Sequence, residues 1–101
     1  MRTILIIGAG RSASSLIQYL LSKSADEDLH LIIGDLSIEA ARSKTKDHPN
    51  ATAIALDIFD VSQRQDAIQK ADIVISMLPA HLHIEVAKDC IAYKKHMVTA
   101  S

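Results

Sequence analysis

The stretch Ile6-Ile7-Gly8-Ala9-Gly10-Arg11-Ser12-Ala13, "IIGAGRSA", joins an apolar run to an amphipathic segment near the start of the chain. Its glycines lie between a predicted strand and a predicted helix, which is the context that a phosphate-binding turn requires. Gly8 allows a tight turn, Gly10 lets the backbone approach a pyrophosphate, and Ala13 permits close packing of helix on strand. We expect the N–H groups of residues 11–13 to point at the anion, assisted by the helix dipole.

Two polar side chains inside this turn could add to the site. Arg11 could supply charge and Ser12 a hydroxyl, so both are candidate cofactor-binding residues together with Gly8, Gly10 and Ala13. Arg11 could equally point into solvent, and a glycine turn of this kind can also be purely structural.

Five apolar runs alternate with four segments of helical periodicity. In the first and fourth runs both faces of the strand are apolar, which is typical of a parallel sheet covered by helices on each side. Short connections leave only right-handed crossovers between successive strands. We therefore predict an α/β fold, a Rossmann-type doubly wound parallel sheet with five strands in a three-layer α/β/α arrangement. The predicted strands are Thr3–Ile7, Leu29–Gly34, Ala51–Leu56, Ile73–Met77 and Met97–Ala100.

The helical segments have recognisable starts and apolar stripes. Ser37 is a predicted N-cap, and Asp60 followed by Gln63 resembles a capping box. The third stripe is weak, so its helix is expected to be half exposed. The residues predicted to face inward are Ala13, Leu16, Ile17, Leu20 and Leu21 in the first helix; Ile38 and Ala41 in the second; Val61, Ala67, Ile68 and Ala71 in the third; and Leu82, Val86, Ala87, Cys90 and Ile91 in the fourth.

Length and charge restrict the classes of protein. The 101 residues suit one domain, and 49% of them are apolar, enough for a core. A net charge of −1 predicts no nucleic-acid partner, and no polybasic patch or long apolar segment predicts membrane binding. The single cysteine, Cys90, fits a reducing compartment, so we expect a cytoplasmic protein.

Asp35 ends the second predicted strand, 22 residues after Ala13. A carboxylate there is expected to accept hydrogen bonds from an adenosine ribose. A 2′-phosphate would face a like charge, a repulsion of about 4 kcal/mol at 4 Å and an effective dielectric of 20. The sequence thus predicts NAD in preference to NADP. The alternative is that Asp35 caps the next helix while Arg42 and Lys44 bind a phosphate.

Four further positions belong to the predicted dinucleotide site. Asp57 with the backbone of Ile58 could contact adenine, or Asp57 could cap the third helix. Leu78 and Pro79 leave the fourth strand beside the first, where they would face the nicotinamide-side ribose. No metal site is expected, because His81 and His83 are two residues apart and point to different sides of a helix.

Three tracts together resemble one family. They are "ILIIGAGRSASSLIQYLL", "ALDIFD" and "VISMLPAHLHIEVAKDCIAYKKHMVTAS", which resemble the N-terminal nucleotide-binding domain of the glutamate-forming saccharopine dehydrogenases. The glycine motif alone is generic, whereas the tract ending "KKHMVTAS" is much more specific. The resemblance covers essentially all of the chain.

The resemblance implies hydride transfer between NAD(P) and a carbon–nitrogen bond, interconverting saccharopine with glutamate and aminoadipate semialdehyde in lysine metabolism. It implies pyrophosphate at Gly10 to Ala13, ribose at Asp35, adenine at Asp57 and Ile58, and the nicotinamide half near Leu78, Thr99 and Ser101. The family's NADP-dependent members tend to carry a basic residue where this chain has Asp35, a departure that agrees with the charge argument for NAD.

We expect residues 1–101 to be an NAD(P)-binding domain from the N-terminus of a larger enzyme, homodimeric when full length. The amino-acid substrate would then bind through a domain absent from this chain, and the piece alone would be inactive. Related enzymes such as carboxynorspermidine dehydrogenase and homospermidine synthase share the N-terminal pattern. The alternative is a non-catalytic, NAD-sensing regulatory domain of the type attached to potassium transporters.

Overall fold

The computed structural model describes residues 1–10 and 13–99, which form alternating strands and helices. Within these residues, no helix is both long and apolar enough to cross a bilayer. The elements in chain order are β1 (Arg2–Ile7), α1 (Ser14–Lys23), β2 (Leu29–Asp35), α2 (Ile38–Thr45), β3 (Ala51–Ala55), α3 (Val61–Gln69), β4 (Ile73–Ser76), a short 3₁₀ helix (Ala80–Leu82), α4 (His83–Ala92) and β5 (His96–Thr99).

All five strands are parallel and lie in the order β3-β2-β1-β4-β5, which confirms the predicted sheet. Strand β1 is central, and its alternate side chains enter two separate cores. Ile4 and Ile6 pack with α1 and α2 on one face, while Leu5 and Ile7 pack with α3 and α4 on the other. The strand ends differ slightly from prediction: β4 stops at Ser76, β5 begins at His96, and Ala100 lies outside the described residues.

The predicted caps start two of the helices. The Ser37 hydroxyl accepts the Ala40 N–H at 3.2 Å, and Asp60 Oδ1 accepts the Gln63 N–H at 3.1 Å. The side chain of Gln63 departs from a capping box because its Oε1 accepts the N–H of Asp57, at 3.1 Å. The third helix therefore holds the loop before it as well as its own first turn.

Two residues predicted to face inward are exposed, and two charged residues are buried instead. Val61 is 52% exposed and Ile91 is 79% exposed, so both of these predictions are wrong. With α3 starting at Val61, the inward positions at helical spacing are 64, 67, 68 and 71, which makes Arg64 a core residue. Asp89 of α4 is buried opposite it, and the two side chains form an ion pair.

Gly34 allows a close contact between β2 and the residue that follows β3. A methyl group on Gly34 would lie 2.9 Å from Leu56 Cδ2 and 3.2 Å from Leu56 Cβ, and Leu56 is buried. We expect Gly34→Ala to lower the free energy of unfolding by about 1–3 kcal/mol because the core is overpacked. Urea unfolding measures this. Gly10→Ala is the control, since nothing lies within 4 Å of its added methyl; equal stability of the two variants would contradict the prediction.

Cys90 is buried on α4, and burial, with a smaller effect of the Asp89 charge, raises the pKa of its thiol. A raised pKa means that the folded state favours the neutral thiol, so its stabilising effect is full at low pH and is lost as pH rises through the folded pKa. We expect the stability advantage of wild type over Cys90→Ala to shrink above about pH 8.5, where an exposed thiol ionises. Urea unfolding of both proteins between pH 7 and 10 tests this, and a pH-independent difference would rule it out.

Candidate functional site

The glycine-rich turn leaves the carboxyl end of β1 in a conformation that requires glycine. Gly8 has φ +100°, in the left-handed region, and its N–H donates to the Gly34 carbonyl at 2.8 Å. A Cβ at Gly8 would lie 3.4 Å from the carbonyl carbon of Met77, directly after β4. The turn therefore sits between the ends of β2 and β4, at the point where the chain order of the sheet reverses.

Gly10 and Ala13 form the part of the turn that leads into α1. Open space adjoins Gly10, so its missing side chain leaves room for a pyrophosphate group to approach the backbone. Ala13 is fully buried, as its predicted packing role requires. Its N–H donates to the Gly10 carbonyl at 3.0 Å, so the prediction that this N–H points at an anion is wrong. Arg11 and Ser12 lie outside the described residues.

Asp35 binds the protein's own backbone from the end of β2. Its Oδ2 accepts the N–H of Ala9 at 2.8 Å, and its Oδ1 accepts the N–H of Ser37 at 2.9 Å. The carboxylate thus joins the glycine-rich turn to the loop that starts α2. The charge argument from sequence assumed a carboxylate free to face a ribose, whereas both oxygens of this one already have donors.

Lys44 brings a cation to the start of α1. Its Nζ donates to the hydroxyl of Ser14, the first residue of that helix, at 2.5 Å. Arg42, the other basic residue considered for a phosphate, is exposed on α2. Lys44 therefore adds positive charge on the side of the turn that faces α2.

A cleft of about 170 Å³ opens at the carboxyl ends of the strands. This is smaller than a typical pocket for a whole ligand, so it suits one end of an extended molecule. It brings together five of the residues predicted from sequence: Gly8, Asp35, Asp57, Ile58 and Leu78. Its wall is mostly apolar, which suits a flat aromatic ring better than a charged group.

The loop after β3 forms one wall of this cleft and is tightly bonded. Asp57 Oδ1 accepts the N–H of Phe59 at 2.9 Å, and the Asp57 carbonyl accepts the N–H of Asp60 at 3.0 Å. The helix N-cap is Asp60, so the alternative in which Asp57 caps α3 is not what the structure has. Ile58 is 8% exposed and packs into the core beneath the cleft.

The opposite wall begins at β4. Ser76 is fully buried, and its Oγ lies 2.7 Å from Nδ1 of His83 at the start of α4. Pro79 is the residue before the 3₁₀ helix, and Thr99 pairs with Ser76 in the sheet. Neither lines the 170 Å³ cleft, and Ser101 lies outside the described residues.

Three apolar residues of the cleft were missed by the sequence analysis. Leu36 and Phe59 are 75% and 73% exposed; Leu36 directly follows Asp35 at the end of β2, and Phe59 lies two residues after Asp57 in the loop after β3. Leu82 lines the cleft from the start of α4 and was read as core only. The available signal was a large apolar residue one or two positions after an aspartate that follows a predicted strand, as at Asp35-Leu36 and Asp57-Ile58-Phe59.

Comparison with known proteins identifies the domain. Residues 4–101 match the family described as "Saccharopine dehydrogenase NADP binding domain". The chain is 33% identical over 115 residues to the alpha-aminoadipic semialdehyde synthase of Arabidopsis thaliana, covering 97% of this chain and 11% of that protein. It is 31% identical over 101 residues to the Schizosaccharomyces pombe saccharopine dehydrogenase [NADP(+), L-glutamate-forming], covering 100% of this chain and 22% of the relative.

The family match corrects the predicted cofactor. The family is an NADP-binding one, and the Schizosaccharomyces pombe relative carries NADP(+) in its name, so the preference for NAD over NADP is wrong. The prediction rested on the charge of Asp35 alone, whereas the N–H dipoles of Ala9 and Ser37 also act on that carboxylate.

A solved structure agrees with the family match. The apo saccharopine dehydrogenase (L-Glu forming) from Saccharomyces cerevisiae superposes with a TM-score of 0.88 and 29% identity, over 100% of this chain and 22% of that one. The chain thus spans between about a tenth and about a fifth of the relatives' length. This chain belongs to the saccharopine dehydrogenase NADP-binding domain family.

Proposed function

We propose that this domain binds NADP(H) for an enzyme that oxidises the carbon–nitrogen bond of saccharopine. When bound, NADP⁺ would take up a hydride from the carbon that becomes the aldehyde of aminoadipate semialdehyde. Water would then hydrolyse the resulting imine and release glutamate and aminoadipate semialdehyde. The observation that carries the proposal is the family match across residues 4–101, and the glycine-rich turn and the cleft described above are consistent with it. No observation favours the alternative of a regulatory potassium-transport domain.

The residues of this chain would divide the work of binding between two ends of the cofactor. The open space at Gly10 suits the pyrophosphate, and Lys44 with Arg11 would supply cations near it. The cleft at Asp57 and Ile58 suits the adenine, while Leu78 would adjoin the nicotinamide-side ribose. The roles of Ser12, Pro79, Thr99 and Ser101 stay predictions.

The proposal extends to parts of the protein beyond this chain. A separate domain would bind the amino-acid substrate, and the full-length enzyme would be a cytoplasmic homodimer. NADP-dependent oxidation of saccharopine by the full-length protein is the direct assay of the reaction. Binding of NADPH with activity on a different amino-acid imine would keep the class of enzyme and change its substrate.

Gly10 provides the first binding prediction. Gly10→Ala places a methyl in space that is open in the structure, so folding is unaffected while the approach of the pyrophosphate is blocked. We expect NADPH affinity to fall by about tenfold or more, a loss near 1.4 kcal/mol. Fluorescence titration of NADPH measures it. Unchanged affinity in a folded variant would show that the turn does not hold the cofactor.

Asp35 provides the second binding prediction. Because its carboxylate holds the backbone N–H groups of Ala9 and Ser37, Asp35→Asn loses one of two good acceptors and loosens the turn. We expect NADPH and NADH affinities to fall by similar factors, about threefold to tenfold.

The repulsion argument gives the opposite result for the same variant. Removal of a repulsion of about 4 kcal/mol would strengthen NADPH binding by roughly a thousandfold. Asp66→Asn is the matched control, since it removes one carboxylate charge at a side chain that is 67% exposed on α3. A selective gain in NADPH affinity in Asp35→Asn alone would contradict the backbone-holding role.

A further inference from the structure

Arg64 is buried between α3, α4 and the loop after β3, and all three of its guanidinium nitrogens have partners. Nε donates to Asp89 Oδ2, NH1 donates to the Ile58 carbonyl at 2.7 Å, and NH2 lies 4.0 Å from Glu85 Oε2. The side chains of Arg64 and Asp89 are 7% and 9% exposed. One planar group therefore contacts both a helix and a loop.

The two structures joined by Arg64 are opposite walls of the cleft. Ile58, in the loop after β3, lines one side of the cleft, and Leu82, the residue before α4, lines the other. Asp89 and Glu85 lie on α4, so the guanidinium fixes the distance between that helix and the loop. The bond from Phe59 N–H to Asp57 Oδ1 is internal to the loop, and the bond from Asp57 N–H to Gln63 Oε1 joins the loop to α3, so neither reaches α4.

Stability alone does not explain why this ion pair is buried. Replacement of a buried ion pair by apolar side chains of similar volume is often neutral or stabilising. The pair also occupies positions at which an apolar residue would continue the stripes of α3 and α4. The feature that no apolar pair could supply is the donor to the Ile58 carbonyl.

We propose that Arg64 is a positioning residue for nucleotide binding: it sets the place of the Ile58 backbone and so shapes the adenine half of the site. This inference rests on the proposed function, since it concerns the same cleft. The nicotinamide side would keep a contact that does not involve Arg64, between Ser76 Oγ and His83 Nδ1 at 2.7 Å. Loss of the Arg64 contact should therefore weaken the adenine half selectively.

The test uses the whole cofactor and its two halves as probes. In Arg64→Lys the ammonium keeps a charge for Asp89 but lacks the fork that also reaches Ile58. We expect the affinities for NADPH and for adenosine 2′,5′-bisphosphate to fall about tenfold, and that for reduced nicotinamide mononucleotide to stay within about twofold. Fluorescence and NMR titrations measure these constants.

A second variant separates positioning from folding. Arg64→Met with Asp89→Leu replaces the pair by apolar side chains, so its Tm should lie near that of wild type. Its affinity for adenosine 2′,5′-bisphosphate should stay about tenfold low. Lys70→Met, at the C-cap of the same helix, is the control, because its ion pair with Asp66 is exposed and Lys70 does not line the cleft at Ile58.

The outcomes distinguish the two proposals. If wild type binds NADPH and the Arg64 variants bind each half-cofactor as tightly as wild type does, the positioning role is overturned and the proposed function stays intact. Equal losses for the two half-cofactors would show a general structural effect and overturn it as well. Failure of wild type to bind NADPH would overturn the proposed function together with this inference.

Discussion

Strand β1 is hydrogen-bonded to a neighbour on each edge and covered by helices on each face, and this double confinement controls the rest of the domain. Its side chains must be apolar at every inner position, as Ile4 to Ile7 are. Its chain can leave only past the carboxyl ends of β2 and β4. The turn at Gly8 must therefore be tight, and its φ of +100° is a conformation that residues other than glycine rarely adopt. The turn by which the chain leaves β1 also forms the candidate site for a dinucleotide.

Hydrophobic periodicity and turn residues predicted much of the fold, because both depend on local sequence. Both-face apolar runs predicted the parallel sheet, Ser37 and Asp60 predicted helix starts, and the spacing of Gly8 and Gly10 predicted the turn. The errors lie where two distant segments meet. Val61 and Ile91 read as core residues, yet Arg64 and Asp89 take the inner positions because each supplies the other's partner, 25 residues away. A stripe of apolar letters contains no information about such a pair.

Asp35 shows a second limit of reading a site from residue type. Its position at the end of β2 was predicted correctly, but its backbone partners at Ala9 and Ser37 were not foreseen, because a carboxylate accepts equally well from a ribose hydroxyl and from a backbone N–H. Which donor it meets depends on the path of the turn at Ala9, set by tertiary packing. The cofactor preference inferred from charge alone was wrong, whereas the residue itself holds the backbone of the glycine-rich turn.

The central place of β1 also implies a gradient of motion across the sheet. Its amides are enclosed by two neighbouring strands, so their exchange with solvent hydrogen requires opening of the whole domain. β3 and β5 each have one unpaired edge among the described residues, and β5 is short and largely exposed, so it can fray while the centre stays intact. The turn at Gly8 is thus anchored to the most enclosed strand of the sheet, whereas the two edge strands are the ones expected to open first. A bound cofactor would therefore contact the well-enclosed end of β1 and would reduce the motion of segments near the edge of the sheet.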